Sequence, residues 1–227
     1  MMLDGLGRLG SQDTVSVETS GTELRGTKVV DVKVTVGLIY KVADSDVKIE
    51  VLTYEDGKLV TRQAGDGSTL WDYDMRSNTY SSTTYAQPDT GFAKDWKIRF
   101  FRTLRLRHTG VTSFTFRFLD EAFGSGMASG HWQPWIPTSS VERVDSTILC
   151  KAETPNHNEL TYVFDGDDAD GVTLIGAHYD QYAGAGPSTV KHWDTTVTTG
   201  VLPDKTEFGF IPPRGARMVS VEQHLGG

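Results

Sequence analysis

The side chains that could carry chemistry in this sequence include six histidines. None is spaced from another as H-x-H or H-x-x-x-H, the spacings that place two imidazoles on one strand face or one helix face for a metal ion. His178 precedes Tyr179 and Asp180 and could join a catalytic set, but there is no G-x-S-x-G elbow to supply a nucleophile. We therefore predict neither a catalytic site nor a metal site. The histidines are His108, His131, His157, His178, His192 and His224.

The chain has one cysteine, Cys150, which excludes an intrachain disulfide and an all-cysteine zinc site. It lies in an apolar segment typical of a strand, where a thiol behaves as a small hydrophobic side chain. Neither G-x-x-x-x-G-K-[ST] nor G-x-G-x-x-G occurs, so the sequence offers no phosphate cradle for a nucleotide. We expect no cofactor.

The acidic run at 165–171 is the strongest candidate for a calcium loop. An EF-hand loop needs oxygen ligands at positions 1, 3 and 5, glycine at position 6 and glutamate at position 12. Setting Gly171 at position 6 puts Gly166 at position 1 and Ala177 at position 12, and neither side chain has an oxygen. We predict instead a hairpin turn between two apolar strands.

Six basic residues fall between positions 97 and 108. They could contact phosphates or lipid headgroups, or they could form the solvated face of a strand. The net charge of −8 favours the solvated face and argues against a protein that binds nucleic acid along its whole length. The cluster comprises Lys97, Arg99, Arg102, Arg105, Arg107 and His108.

The composition favours a β-rich globular domain. The 227 residues include 27 Thr and 21 Val against 12 Ala and 16 Leu, and branched β-carbons fit a pleated strand better than a helix. No stretch approaches the roughly 20 apolar residues that a membrane-spanning helix needs. No linker rich in proline or serine divides the chain, so we predict a single domain over residues 1–227.

Alternating apolar residues predict the first strands. Every second residue from 30 to 36 is valine, and every second residue from 47 to 51 is valine or isoleucine, so each segment has one face to bury. The pairs at 56–57 and 66–67 are Asp-Gly, which suits tight turns with positive φ, and 74–78 is a polar turn. This spacing predicts an antiparallel meander. Further strands are predicted at 147–151, 160–164, 172–175 and 191–195.

The middle of the chain is less regular. Residues 83–96 are polar and predict a loop. Phe114, Phe116 and Phe118 alternate as in a strand, and residues 119–123 then turn helical.

Two stretches of the sequence resemble one family. Residues 65–74, followed by Asn-Thr-Tyr at 78–80, are similar to a DG-x-x-x-W-x-Y-D-x-x-x-x-x-Y hairpin. Residues 208–219 are similar to an F-x-F-x-P-P-x-G-A ending, and the two stretches lie about 140 residues apart in the same order. Both patterns resemble those of the periplasmic outer-membrane lipoprotein carriers, the LolA-like superfamily.

The resemblance implies a mainly β fold, in which a curled antiparallel sheet forms a half-open β-barrel and a few helices cover its concave face. It also implies a non-enzymatic protein of the bacterial cell envelope that binds lipid, or the acyl chains of a lipoprotein, in that face. Relatives on this fold include envelope-stress regulators and at least one enzyme of a pigment pathway. A regulator that binds an inner-membrane protein, and less favoured a small-molecule enzyme, therefore stay open as alternatives.

The family's first helix follows a signal peptide and is longer than the leucine stripe at 1–11. Leu3, Leu6 and Leu9 line one side of a short helix that its glycines weaken. We expect that a leader and part of this helix are missing from the chain, and that the protein is periplasmic. It would be cytoplasmic if Met1 were the true start.

Apolar and aromatic side chains on the predicted strands are the candidate ligand-binding residues. Trp71 and Tyr73 share one face of their strand, and an unpaired buried carboxylate at Asp72 would be costly. We therefore expect Trp71 and Tyr73 to point into the concavity, with Tyr80 on the partner strand. The expected apolar site comprises Val32, Val34, Ile49, Val51, Trp71, Tyr73, Tyr80, Phe114, Phe116, Phe208 and Phe210.

Overall fold

The structure is a computed structural model that describes residues 12–25, 27–41, 46–84, 110–123, 138–153, 158–167, 171–182 and 189–225. The leucine stripe at 1–11, most of the predicted loop (85–96) and the basic cluster at 97–108 lie outside the described residues. Within the described part of the chain, no helix is long and apolar enough to cross a membrane.

The described residues form twelve strands and two helices. In the first half of the chain these are β1 (Thr14–Arg25), β2 (Lys28–Lys41), β3 (Asp46–Glu55), β4 (Lys58–Gly65), β5 (Thr69–Asp74), β6 (Thr79–Thr84) and α1 (Gly110–Phe123). In the second half they are β7 (Thr138–Val144), β8 (Thr147–Glu153), β9 (Glu159–Asp167), β10 (Gly171–Tyr182), β11 (Thr189–Thr199), β12 (Arg217–Met218) and α2 (Val221–Leu225).

All twelve strands belong to one sheet, in the order β12-β6-β5-β4-β3-β2-β1-β11-β10-β9-β8-β7. Neighbouring strands are antiparallel except β6 and β12, which are parallel. The pairing of β1 with β11 joins two meanders, β1–β6 and β7–β11. The sheet is not closed into a barrel, and the predicted curled, half-open antiparallel sheet is confirmed.

The predicted turns differ in length. Asp56 and Gly57 both have positive φ, 47° and 76°, as a two-residue turn between β3 and β4 requires. The next turn is longer. Gly67 has a φ of 102°, while the Asp66 carboxylate accepts hydrogen bonds from the backbone N–H groups of Ser68 and Thr69. At the acidic run, β9 and β10 are antiparallel and Asp167 pairs with Gly171, while residues 168–170 of the predicted hairpin turn lie outside the described residues.

One face of the sheet, called here the inner face, is buried from β8 to β6 in the order of the strands. Every second side chain points to it, and paired residues on neighbouring strands share it. Val17, Val36 and Val51 form one row across β1–β3, for example. On the strands of the second meander the inner face is formed by Ile148, Cys150, Ala152, Leu160, Tyr162, Phe164, Leu174, Ala177, Tyr179, Trp193 and Val197.

Helix α1 packs on this inner face, over β1 and β2. The prediction of a strand through Phe114, Phe116 and Phe118 is wrong, because Val111, Phe114 and Phe118 repeat at the i, i+3, i+7 spacing of a helix and are buried together. With 14 residues, α1 is about 21 Å long. Twelve strands spaced by about 4.8 Å span roughly 50 Å, so the helix covers part of the inner face.

Candidate functional site

The apolar part of the inner face contains six of the eleven predicted ligand-binding residues. Val32, Val34, Ile49 and Val51 are at most 2% exposed and belong to its core. Phe114 and Phe116 reach the same core from α1. Cys150 also lies there, and burial raises the pKa of its thiol, which makes it a packing residue rather than a nucleophile. The six predicted ligand-binding residues found in this core are Val32, Val34, Ile49, Val51, Phe114 and Phe116.

Glu23 anchors the first turn of α1. Its side chain is buried on the inner face of β1, and its carboxylate accepts a hydrogen bond from the backbone N–H of Val111. Gly110, with a φ of 61°, passes so close that a β-carbon there would overlap this carboxylate. A hydroxyl contact of 3.4 Å joins Thr53 to Thr112. The carboxylate thus lies at the positive end of the helix dipole, which offsets the cost of burying it.

A cluster of three rings holds α1 on the second meander. Phe114 lies 5.4 Å from Tyr179 and 5.3 Å from Trp193, and the last two rings stack at 4.9 Å. The Trp193 indole N–H donates to the Thr22 carbonyl. Burial raises the pKa of the Tyr179 hydroxyl. The cluster is stabilised by dispersion and by the burial of apolar area, and its indole N–H has a hydrogen-bond acceptor.

The inner face becomes polar where it reaches β4 and β5. The Gln63 amide donates to an Asp72 carboxylate oxygen at 3.0 Å, and His224 of α2 lies 3.5 Å from the same oxygen. The hydrogen bond to the Asp72 carboxylate raises the pKa of the His224 imidazole. Gln63 Oε1 and His224 Nδ1 are buried and have no hydrogen-bond partner among the described residues. We call Gln63, Asp72 and His224 the polar patch.

The prediction that Trp71 and Tyr73 point into the concavity is wrong. Leu70 and Asp72 take the inner face of β5, since Leu70 is part of the core and Asp72 belongs to the polar patch. Trp71 and Tyr73 therefore lie on the opposite, outer face. The expectation failed because the Asp72 carboxylate is paired, and a paired carboxylate avoids most of the cost of burial.

Tyr80 and Phe210 also lie outside the concavity. Tyr80 is the cross-strand partner of Tyr73, as predicted, and the two share the outer face. The Phe210 ring sits 5.5 Å from each of these tyrosine rings. Phe208 belongs to the same extended segment, 201–216, which crosses the outer face of the sheet. Five predicted ligand-binding residues are thus on the outer side of the sheet: Trp71, Tyr73, Tyr80, Phe208 and Phe210.

Arg62 fixes that segment to the sheet. Its guanidinium donates to Glu50 at 2.8 Å, to the Glu207 carbonyl at 3.0 Å and to the Gly209 carbonyl at 3.1 Å. The Glu207 N–H in turn donates to the second Glu50 oxygen at 3.0 Å. Sequence reasoning missed Arg62 and Glu50, because nothing local marks a partner 145 residues away. We call Glu50, Arg62, Tyr73, Tyr80 and residues 207–210 the outer clamp.

The outer clamp brings together the two stretches that carry the family resemblance. The first supplies Tyr73 and Tyr80, and the second supplies Phe210. Upstream, the segment runs so close to Gly37 that a β-carbon there would lie 2.8 Å from the Thr206 methyl group. The two motifs are thus one structural unit that covers the outer face.

A groove of about 640 Å³ lies beside this segment on the outer face. Its floor comes from β1–β3, including Ser20, Lys33 and Tyr54, and Pro203 and Asp204 form one wall. Lys33 is paired with Glu18 at 2.7 Å on the same face. The groove therefore combines polar and apolar side chains and lies on the face of the sheet opposite the inner face.

Two histidines and two aspartates form a chain of contacts on the outer face of β10 and β11. His178 Nδ1 lies 2.5 Å from Asp194, and His192 lies 2.9 Å from Asp194 and 2.7 Å from Asp180. The hydrogen bond to Asp180 raises the pKa of the His192 imidazole. Both histidines are exposed, and the described residues contain no group of three or more His, Cys, Asp or Glu placed to hold a metal ion.

No protein-family model and no curated protein matches the chain. Among solved structures, an uncharacterized conserved protein from Thermus thermophilus is similar with a TM-score of 0.38 and 9% identity, over 96% of each chain. A LolA superfamily protein from Nitrosomonas europaea has a TM-score of 0.33 and 11% identity, over 91% of this chain and 96% of that one. A DUF1329 family protein from Desulfovibrio piger has a TM-score of 0.36 and 8% identity, over 90% and 92%.

Proposed function

We propose that this chain is a non-enzymatic protein of the bacterial cell envelope that holds a lipid, or the acyl chains of a lipoprotein, against the inner face of its sheet. The observation that carries the proposal is the extent of that face. It is apolar from β8 to β3, while α1 packs on β1 and β2 with Phe114 reaching β10 and β11. The sheet stays open, so an extended apolar ligand can enter without breaking a barrel.

The resemblance described above supports the same function. Its two stretches lie far apart in the sequence, yet their side chains are in contact in the outer clamp. A shared architecture explains such a contact better than chance similarity of two short patterns does. In this proposal the protein is periplasmic, and its partner is a lipid or an acylated lipoprotein.

An acyl chain on the part of this face under α1 has to move the helix. The polar contacts between the helix and the sheet then at stake include the Glu23 carboxylate at Val111 and the contact of Thr53 with Thr112. Each buried methylene contributes about 0.8 kcal/mol, so a twelve-carbon chain gains roughly 9 kcal/mol before the loss of its flexibility. That gain is of the size needed to replace the apolar contacts that α1 gives up.

A disulfide between α1 and β3 tests this proposal. The hydroxyl oxygens of Thr53 and Thr112 are 3.4 Å apart, so cysteines at both positions can bond with a small adjustment. We expect Thr53→Cys/Thr112→Cys, in a Cys150→Ala background, to bind a fluorescent acyl probe when reduced and to lose most binding when oxidised. Binding is measured by titration of the same sample before and after a reductant.

The Cys150→Ala protein without the added pair is the control, and the reductant should leave its affinity unchanged. Equal binding in the locked and reduced states would show that the chain does not lie under α1. No binding of acyl probes or lipids by the unmodified protein, in titration and in native mass spectrometry, would overturn the carrier function itself.

A further inference from the structure

We infer that the polar patch receives the head of the bound amphiphile, and that it selects a neutral head that both donates and accepts hydrogen bonds, such as a glycerol or an amide. This inference rests on the proposed acyl-binding function. It assigns a direction to the ligand, with its chain along the apolar inner face and its head at β4–β6.

Two unpartnered atoms are the first observation. Gln63 is fully buried and the His224 side chain is 6% exposed, yet Gln63 Oε1 and His224 Nδ1 have no hydrogen-bond partner in the described part of the chain. A buried polar atom without a partner costs about 1–3 kcal/mol. Gln63 Oε1 can only accept a hydrogen bond. In the protonated His224 ring Nε2 faces Asp72, so Nδ1 is left as a donor. A ligand that satisfies both must donate and accept.

The position of the patch is the second observation. Gln63 is the cross-strand partner of Val51, and Asp72 is two residues from Leu70 on the same face, so the patch adjoins the apolar core directly. On its other side Ser81 pairs with Asp72 and is buried as well. The inner face is therefore mainly apolar on β8–β11 and β1–β3 and has its polar patch on β4–β6, beside Leu70, which is the order of an amphiphile's chain and head.

Charge sets the class of head. The Asp72 carboxylate lies 3.5 Å from the His224 imidazole and raises its pKa, and the charges of the two groups cancel when the ring is protonated. Asp74, two residues along β5, is paired with Arg76 at 3.4 Å. A carboxylate head would add a negative charge beside Asp72, and an ammonium head would add a positive one beside His224. Either leaves a net charge in a buried site, whereas a neutral head does not.

Three probes with the same chain test the inference. They are 1-lauroyl glycerol, methyl laurate and laurate, and each displaces a fluorescent acyl probe from the full chain. Satisfying one or two hydrogen bonds is worth roughly a three- to thirtyfold change in affinity. We expect 1-lauroyl glycerol to bind about tenfold more tightly than either of the other two.

Gln63→Met keeps the length of the side chain and removes both the acceptor and the amide donor to Asp72. We expect it to lose the preference for 1-lauroyl glycerol over methyl laurate. Ser82→Ala, on the outer face of β6, is the matched control and should keep the preference. The imidazole NMR signals of His224 in the wild type give a readout that needs no variant, and they should shift with 1-lauroyl glycerol and not with methyl laurate.

Equal affinities for the glycerol and methyl esters, or unmoved His224 signals with 1-lauroyl glycerol bound, would overturn the inference and leave the carrier function standing. Tightest binding of laurate would overturn the neutral class of head. Failure of all three probes to bind would overturn the carrier function and this inference with it.

Discussion

The inner face and the outer clamp cover opposite sides of the same sheet by different means. The inner face is a broad layer of apolar side chains under α1, in which many small contacts add up. The outer clamp is a single joint, in which one guanidinium and three rings hold an extended segment. A substitution anywhere in the broad layer should destabilise the whole fold. A substitution at a key residue of the outer clamp should instead release one segment.

The same substitution in the two regions should have unequal effects. Phe164 is fully buried on the inner face, and we expect Phe164→Ala to lower the free energy of unfolding by about 3–5 kcal/mol. Phe210 is half-buried between two tyrosines, so Phe210→Ala should lose about 1–2 kcal/mol. Urea denaturation of both variants measures the difference. Equal losses would contradict the distinction between a packed layer and a joint.

Arg62→Met should release the outer clamp. The Arg62 side chain is 17% exposed and Glu50 only 6%, so the change leaves a buried carboxylate without its cation. We expect a loss of about 2–3 kcal/mol in urea denaturation, and faster proteolysis of segment 201–216 than of the sheet.

Arg76→Met is the matched control for that change. Arg76 also pairs with acidic residues, at 3.3 Å and 3.4 Å, but its side chain is 54% exposed. Such surface pairs contribute about 0–1 kcal/mol.

If proteolysis of segment 201–216 were unchanged in Arg62→Met, the aromatic rings alone would hold that segment on the sheet.

The polar patch adds a pH dependence to the inner face, and this is the smallest effect we expect. Asp72 raises the pKa of His224 above its usual 6.5 in the folded protein, so the folded state favours the protonated ring. This stabilisation is fully present below pH 6.5 and is lost as the pH rises through the raised pKa of the folded state.

Urea denaturation of the wild type and of His224→Gln, each across that pH range, isolates this contribution. The wild type should lose stability relative to the variant as the pH rises. The pKa of the exposed His192 is raised too, but it is present in both proteins and cancels in the difference. A difference that stays constant with pH would contradict the assignment.

The alternating segments were predictable from the sequence because their chemistry is local. The valines of β2, the apolar residues of β3 and the Asp56-Gly57 turn each follow from a period of two and a positive φ. β1 was missed, since Thr19 and Glu23 interrupt its apolar alternation on the buried face. Both are satisfied by distant partners, Thr195 and the first turn of α1.

The face of β5 could not be predicted for the same reason. Both of its faces are covered, one by the core and one by the outer clamp, so its Leu-Trp-Asp-Tyr pattern has apolar residues on each. Which face is inside depends on whether Asp72 finds a partner, and His224 lies about 150 residues further along the chain. The pattern of apolar residues along a strand predicts which residues are buried, but it does not predict which distant residue pairs with a buried polar side chain.

The pairing of β1 with β11 has a consequence for how the chain folds. Thr19 and Thr195, whose hydroxyls meet there, are separated by 176 residues. Closing a loop of that length costs roughly 4–5 kcal/mol of chain entropy, while the hairpins on either side close over a few residues. The two meanders can therefore form first, each with an open edge and half of an apolar face. Until β1 pairs with β11, an open strand edge can also pair with the edge of another protein molecule. This intermolecular pairing competes with correct folding more strongly as the protein concentration rises.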